Sequence, residues 1–272
     1  MIPAAFGYSR PRSLEEAFAL LSEHGTEGKL LAGGHSLIPM MKLRLAAPSM
    51  LIDISRIAGL DGIKAAGAGL TIGALATHAA IAASAAVATI APALGDAAGQ
   101  IGDSQVRNRG TIGGSCAHGD PSADYPAVML ALDAIFTTQS LKGTKTIRAP
   151  EFFQGMFETA LEHNAVLTQI EIASAPKSAY VKFPHPASHY AVVGVACNLK
   201  LKGPQIAEAR VAVTGVGDSA FRAANVERAL LGVDAGDKAA IEAACVDAAA
   251  GVEGRGDVFA SANYRRAMTD VY

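Results

Sequence analysis

Apolar and polar positions alternate along this chain with three successive patterns. Leu14, Ala17, Phe18 and Leu21 recur at helical spacing behind Ser13-x-x-Glu16, a capping-box pattern, and predict a helix from about residue 14 to Glu23 ending near Gly25. Apolar runs at Leu30 to Ala32 and Met50 to Ile54 read as strands with a helical segment, Ile38 to Leu45, between them, a small β-α-β unit. From Leu60 a second α/β stretch follows. It has strands at Leu70 to Ile72, Ala134 to Thr138, Thr144 to Arg148 and Val166 to Ile172, and helices around Thr77 to Ala83 and Ser122 to Leu132. The alanine-rich run Ala79 to Leu94, broken by Pro92, falls short of a bilayer span and reads as buried helix. After Pro176 long β-like runs, Tyr190 to Leu199 and Ile206 to Thr214, precede helical stretches at Asn225 to Leu231 and Lys238 to Ala250. That order predicts a three-stranded sheet with helices on one face and a domain boundary near Ala175-Pro176.

At 272 residues and 50% hydrophobic, the chain is long enough to bury a substantial core in two or three subdomains. The net charge is −2 and the cations are scattered, so the basic face that duplex nucleic acid requires is missing. The first ten residues lack the pattern of a secretion signal, which predicts a cytoplasmic location. Cys116, Cys197 and Cys245 are far apart and form no C-x-x-C, so neither a zinc ribbon nor an iron–sulfur cluster is expected in this chain. His185 and His189 stand four apart, but Pro184 and Pro186 interrupt any helix there, and no metal site is predicted.

The candidate chemistry lies in two glycine segments. Ala32-Gly33-Gly34-His35-Ser36 follows Lys29-Leu30-Leu31, and Thr111-Ile112-Gly113-Gly114-Ser115 leads to His118-Gly119-Asp120. Consecutive glycines admit positive φ and let backbone approach a ligand with no Cβ in the way, so the N–H groups of each turn can converge on an anion. Two such turns, far apart in sequence, suggest a diphosphate held between two loops. Neither belongs to a dinucleotide or P-loop pattern, and the two other candidates for that fingerprint fail as well: Gly67-Ala68-Gly69 precedes its strand, and Gly215-Val216-Gly217 has no third glycine. Taken singly, each glycine pair reads equally well as a tight turn.

With Asp124-Tyr125-Pro126 and the segment from Lys182-Phe183 to Val195, these motifs resemble the FAD-binding medium subunit of molybdenum hydroxylases, the carbon monoxide dehydrogenase and xanthine dehydrogenase family. The resemblance covers nearly the whole chain. It implies an α+β architecture: a two-subdomain FAD-binding fold of the vanillyl-alcohol oxidase (PCMH) type over 1–175, divided at about 57/58, then a C-terminal three-stranded antiparallel sheet with helices over 176–272. It also implies that Lys29, Leu30, Leu31, Ala32, Gly33, Gly34, His35 and Ser36, with Thr111, Ile112, Gly113, Gly114 and Ser115, hold FAD. Asp124 is then similar to the aspartate that binds FAD hydroxyls, Leu167 to the apolar residue on the flavin ring, and Lys182 and Tyr190 to the lysine and tyrosine near it. Ser115 departs from the asparagine or aspartate frequent at that place. The implied partners are a large subunit with the molybdenum cofactor and a small subunit with [2Fe-2S] clusters, in a dimer of heterotrimers that passes electrons to an external acceptor.

Each of these residues has a plainer reading beside the implied one. Ser36 reads as a helix N-cap, Asp124 as an acid favoured by a helix dipole, Leu167 as core, and Lys182 as a solvent-facing strand position. Arg107 and Arg109 suit a phosphate or a surface loop alike, and His118 with Asp120 suits a ligand contact or local hydrogen bonding. Two rival functions stand against the electron-transfer subunit: an autonomous flavin oxidase with FAD attached through His35, and a scaffold that has lost flavin.

Overall fold

The computed structural model describes residues 2–272. The capping box forms its helix, Leu14–His24: Ser13 accepts from the Glu16 N–H, and Gly25 at φ +52° ends it. Glu16 reaches one residue further back than the pattern predicts, accepting from Arg12 N–H at 2.7 Å. The apolar stripe Ala17, Phe18 and Leu21 packs on a parallel three-stranded sheet, in which Met50–Asp53 lies between Gly7–Ser9 and Gly28–Leu31. The Leu37–Lys42 helix makes part of the crossover that parallel pairing demands.

The second stretch is an antiparallel sheet of five strands in the order Ile63–Ala66, Gly69–Gly73, Val166–Ile172, Ile135–Ser140, Gly143–Arg148. The Ala79 to Leu94 run is not one helix but parts of three: His78–Ala82, Ala85–Ile90 and Pro92–Gln100. The Ser84 hydroxyl caps the second by accepting from Val87 N–H, and Pro92 holds Ala91 out of the helical region at φ −147°. The Gly113-Gly114 segment is not a turn. It forms a helix of its own, Ile112–His118, stopped by left-handed Gly119 before Asp124–Ala131 begins.

The C-terminal sheet is antiparallel, as implied, but has four strands: Ser178–Pro184, Ala191–Lys202, Gln205–Thr214 and the two-residue Phe221–Arg222. Its helices are Ala224–Leu230, Lys238–Ala244 and Ala262–Thr269. The second stops six residues before Ala250, because the Asp270 carboxylate accepts from Asp247 and Ala248 N–H and Asp247 turns to φ +61°. Helices cover both faces of this sheet rather than one. Val193, Val195, Val211 and Val213 face Val226 and Leu230, while Ala196 and Ala212 share a core with the Asp124–Ala131 helix, every residue of which is buried.

Candidate functional site

A cleft of about 790 Å³ runs between the two N-terminal sheets and under the loop that carries Tyr190. That is a size suited to a cofactor. Its first wall is the loop after Gly28–Leu31. Strand pairing ends at Leu31, Gly34 turns at φ +76°, and the Leu37–Lys42 helix starts at once. The N–H groups of Gly33, Gly34, His35 and Ser36 donate to no acceptor among the described residues, which leaves four successive donors at the cleft. Such a run is an anion cradle. The Ser36 hydroxyl does not cap the helix, and both Ser36 and Tyr190 line the cleft.

The second glycine segment works differently from the turn expected. Gly113 donates to the Ala74 carbonyl at 2.8 Å, Gly114 to Thr111 Oγ1 at 3.2 Å and Ser115 to the Thr111 carbonyl at 3.0 Å, so these N–H groups are already bonded. Its glycines serve close packing. A Cβ on Gly113 would stand 2.5 Å from that of Ala74, and one on Gly110 would stand 2.5 Å from His78 Nε2. The two motifs touch directly: a Cβ on Gly33 would overlap the Arg109 carbonyl oxygen and reach 2.8 Å from the Gly110 Cα. Lacking those side chains, the donor loop is braced against a helix start that presents little bulk to the cleft.

Lys29 to Ser36, Thr111, Gly113, Gly114, Ser115, Asp124, Leu167 and Tyr190 all line this space. Ile112 and Lys182 do not. Ile112 is fully buried in the core, and Lys182 faces inward from the Ser178–Pro184 strand, contrary to the solvent-facing reading of strand alternation. Its ammonium lies 2.9 Å from Asp124 Oδ1, and both side chains are almost wholly buried. Burial raises the Asp124 pKa, while Lys182 and a hydrogen bond from Tyr180 pull the other way.

His78 also lines the cleft and has no motif around it. Its Nδ1 is 3.0 Å from the Tyr125 hydroxyl, and burial, with His35 and Arg107 nearby, pushes its pKa down to about 4. Thr77, the N-cap before it, was its only sequence signal. His118 and Asp120 reach the wall as well, as do Phe157 and His163 from the loops before the Val166–Ile172 strand. Arg107 is turned to the Ile101 and Gly102 carbonyls. Among the described residues no group of three His, Cys, Asp or Glu side chains is placed to hold a metal ion, and no helix is long and apolar enough to cross a membrane.

Known proteins share this arrangement from end to end. The family model for the FAD binding domain in molybdopterin dehydrogenase matches residues 4–175, and that for the CO dehydrogenase flavoprotein C-terminal domain matches residues 178–272. The carbon monoxide dehydrogenase medium chain of Hydrogenophaga pseudoflava is 41% identical over 98% of this chain and 94% of its own. The glyceraldehyde dehydrogenase medium chain of Sulfolobus acidocaldarius is 40% identical over 85% of this chain and 83% of its own. In a solved structure of the Hydrogenophaga pseudoflava carbon monoxide dehydrogenase, one chain superimposes with a TM-score of 0.94 at 43% identity, covering 100% of this chain and 95% of that one. Quinoline 2-oxidoreductase from Pseudomonas putida 86 gives 0.93 at 31% identity, with 100% and 95% covered. Matched through both domains in order, the chain belongs to the FAD-binding medium subunits of the molybdenum hydroxylase family, oxidoreductase subunits of the kind found in carbon monoxide dehydrogenase.

Proposed function

We propose that this subunit holds one FAD non-covalently, receives electrons from iron–sulfur clusters of a small partner subunit and delivers them to an external acceptor. The observation that carries this is the run of four unpartnered N–H groups at Gly33 to Ser36, opening on a cleft whose adjoining wall is kept low by glycine. A diphosphate fits that cradle. FAD supplies the redox chemistry when bound; the chain binds it, orients it and sets its electrostatic surroundings. In this reading Asp124 accepts from cofactor hydroxyls, and Leu167 and Tyr190 flank the ring. Lys182, with its ammonium behind the wall, acts through Asp124.

A large subunit with the molybdenum cofactor would oxidise the substrate, and a dimer of heterotrimers in the cytoplasm is the assembly we favour. Purifying the native complex and measuring flavin, iron and molybdenum against its subunit pattern tests this. Expected are one FAD per copy of this chain, metals only in the other chains, and no substrate oxidation by this chain alone. Turnover by the isolated chain would overturn the electron-transfer assignment.

A further inference from the structure

A buried cluster stands behind the cleft. The Tyr180 hydroxyl, on a side chain only 3% exposed, donates to Asp124 Oδ1 at 2.6 Å, and Lys182 Nζ approaches the same oxygen at 2.9 Å. No other residue among those described donates to Oδ2, although Asp124 lines the cleft. Lys182 Nζ donates to the carbonyls of Gln100 at 2.8 Å and His189 at 2.9 Å, so the ammonium is held by two hydrogen bonds besides its ion pair with Asp124. His189 sits at φ +60°, in the sparsely populated left-handed region, and the next residue is Tyr190. Gly194 on the neighbouring strand reserves the room: a Cβ there would overlap the Tyr180 hydroxyl.

We infer that Tyr180 and Lys182 are positioning residues of the cleft: both aim the Asp124 carboxylate so that Oδ2 meets a ligand hydroxyl, and Lys182 also fastens the 185–190 loop that carries Tyr190. This role presupposes that FAD occupies the cleft. Burial favours the neutral acid at Asp124, and the ammonium and phenol favour the anion. The titratable groups facing Asp124 are Lys182 and Tyr180 from the Ser178–Pro184 strand, Tyr125 beside it on its own helix, and Tyr190 from the loop. Burial raises all three phenols, so they stay neutral and Lys182 is the one cation among these groups. Without it, the acid form of Asp124 extends to higher pH.

FAD titrations of the flavin-free full chain from pH 5 to 9 test the assignment. A charged acceptor outdoes a neutral one by about tenfold in affinity. Wild-type affinity should fall as pH drops through the Asp124 transition. Tyr180→Phe should move that transition to higher pH and Lys182→Met should move it further, while Asp124→Asn removes it in every background. Hydrogen exchange at the 185–190 amides should rise in Lys182→Met and stay unchanged in Tyr180→Phe. Transitions at one common pH in wild type and both variants, or unchanged exchange in Lys182→Met, would overturn the inference. Tyr180→Phe keeps its ring, so it remains informative if Lys182→Met does not fold. A wild-type chain that binds no FAD would instead overturn the cofactor reading itself, and full affinity with an intact transition in Asp124→Asn would remove Asp124 from the ligand.

Discussion

Gly33→Ala isolates the contact between the two glycine segments. The added Cβ would stand 2.8 Å from the Gly110 Cα and overlap the Arg109 carbonyl oxygen, both backbone atoms that cannot swing aside. Carbon atoms in ordinary contact sit about 3.5–4.0 Å apart, so the donor loop must retreat by roughly 1 Å. Overpacking of this kind costs about 1–3 kcal/mol. The Gly33 to Ser36 N–H groups are the part displaced, so the cost should appear as a loss of roughly fivefold to a hundredfold in FAD affinity. Titration calorimetry with FAD, paired with thermal unfolding, separates this from general destabilisation. Gly99→Ala is the control: nothing lies within 4 Å of its added Cβ, and it should bind FAD as the wild type does. A Gly33→Ala chain with affinity within twofold of wild type would refute the view that loop contact shapes the cradle.

Acid precipitation should release all flavin into the supernatant, since His35 Nδ1 turns back to its own loop, 3.2 Å from the Gly33 carbonyl oxygen; fluorescence retained on the denatured chain, and lost in His35→Ala, would favour the oxidase reading. Thr111→Val deletes the hydroxyl that accepts from Gly114 N–H and should cost about 1 kcal/mol in thermal unfolding, with Thr111→Ser retaining most of it. His78 binds protons less readily folded than unfolded, with its pKa pushed down to about 4. Its stabilising contribution is therefore complete above about pH 6.5 and lost as pH falls toward 4, by up to about 3 kcal/mol, a slope that His78→Gln should flatten in melts from pH 4 to 7.

What was legible in the sequence was local or repeated. The Leu14–His24 helix is legible because its cap and stripe lie within eleven residues, and Ala191–Lys202 because its apolar, β-branched run is long. Gly7–Ser9 is three residues long and is held by pairing with Met50–Asp53, a partner some forty positions away that no local pattern reveals. Ala262–Thr269 escaped notice because only Arg265 and Thr269 are buried along it, Arg265 by donating to the Val192 and Gly215 carbonyls. Both glycine motifs border the cleft, yet their two roles are opposite. Gly33-Gly34 frees donors, whereas Gly113-Gly114 lies inside a helix whose tight packing on Ala74 decides its conformation. The plain solvent-facing reading of Lys182 fails for a similar reason: strand alternation gives a face, and the Pro92–Gln100 helix, whose Gln100 carbonyl accepts from Lys182, and Asp124 at the start of the next helix bury it.

That helix also joins the cleft to the C-terminal sheet. Asp124 opens it at the cleft wall, and its apolar residues belong to one core with Tyr180, Ala196, Ala212 and Ala220 beyond Ala175. A fragment ending at residue 175 would therefore expose one side of a helix that is buried on every side, and would lose Tyr180, Lys182 and Tyr190 together. Each uncovered side chain of Val, Leu or Met size forfeits about 1.5–3 kcal/mol of burial, and the stability of a whole domain is only about 5–15 kcal/mol. The fragment should aggregate and bind no FAD, even though both glycine segments lie within it. Size-exclusion chromatography with FAD titration decides the matter. A monomeric 1–175 fragment of wild-type FAD affinity would show that the cleft is complete without the C-terminal sheet, and that the shared core contributes little to its shape.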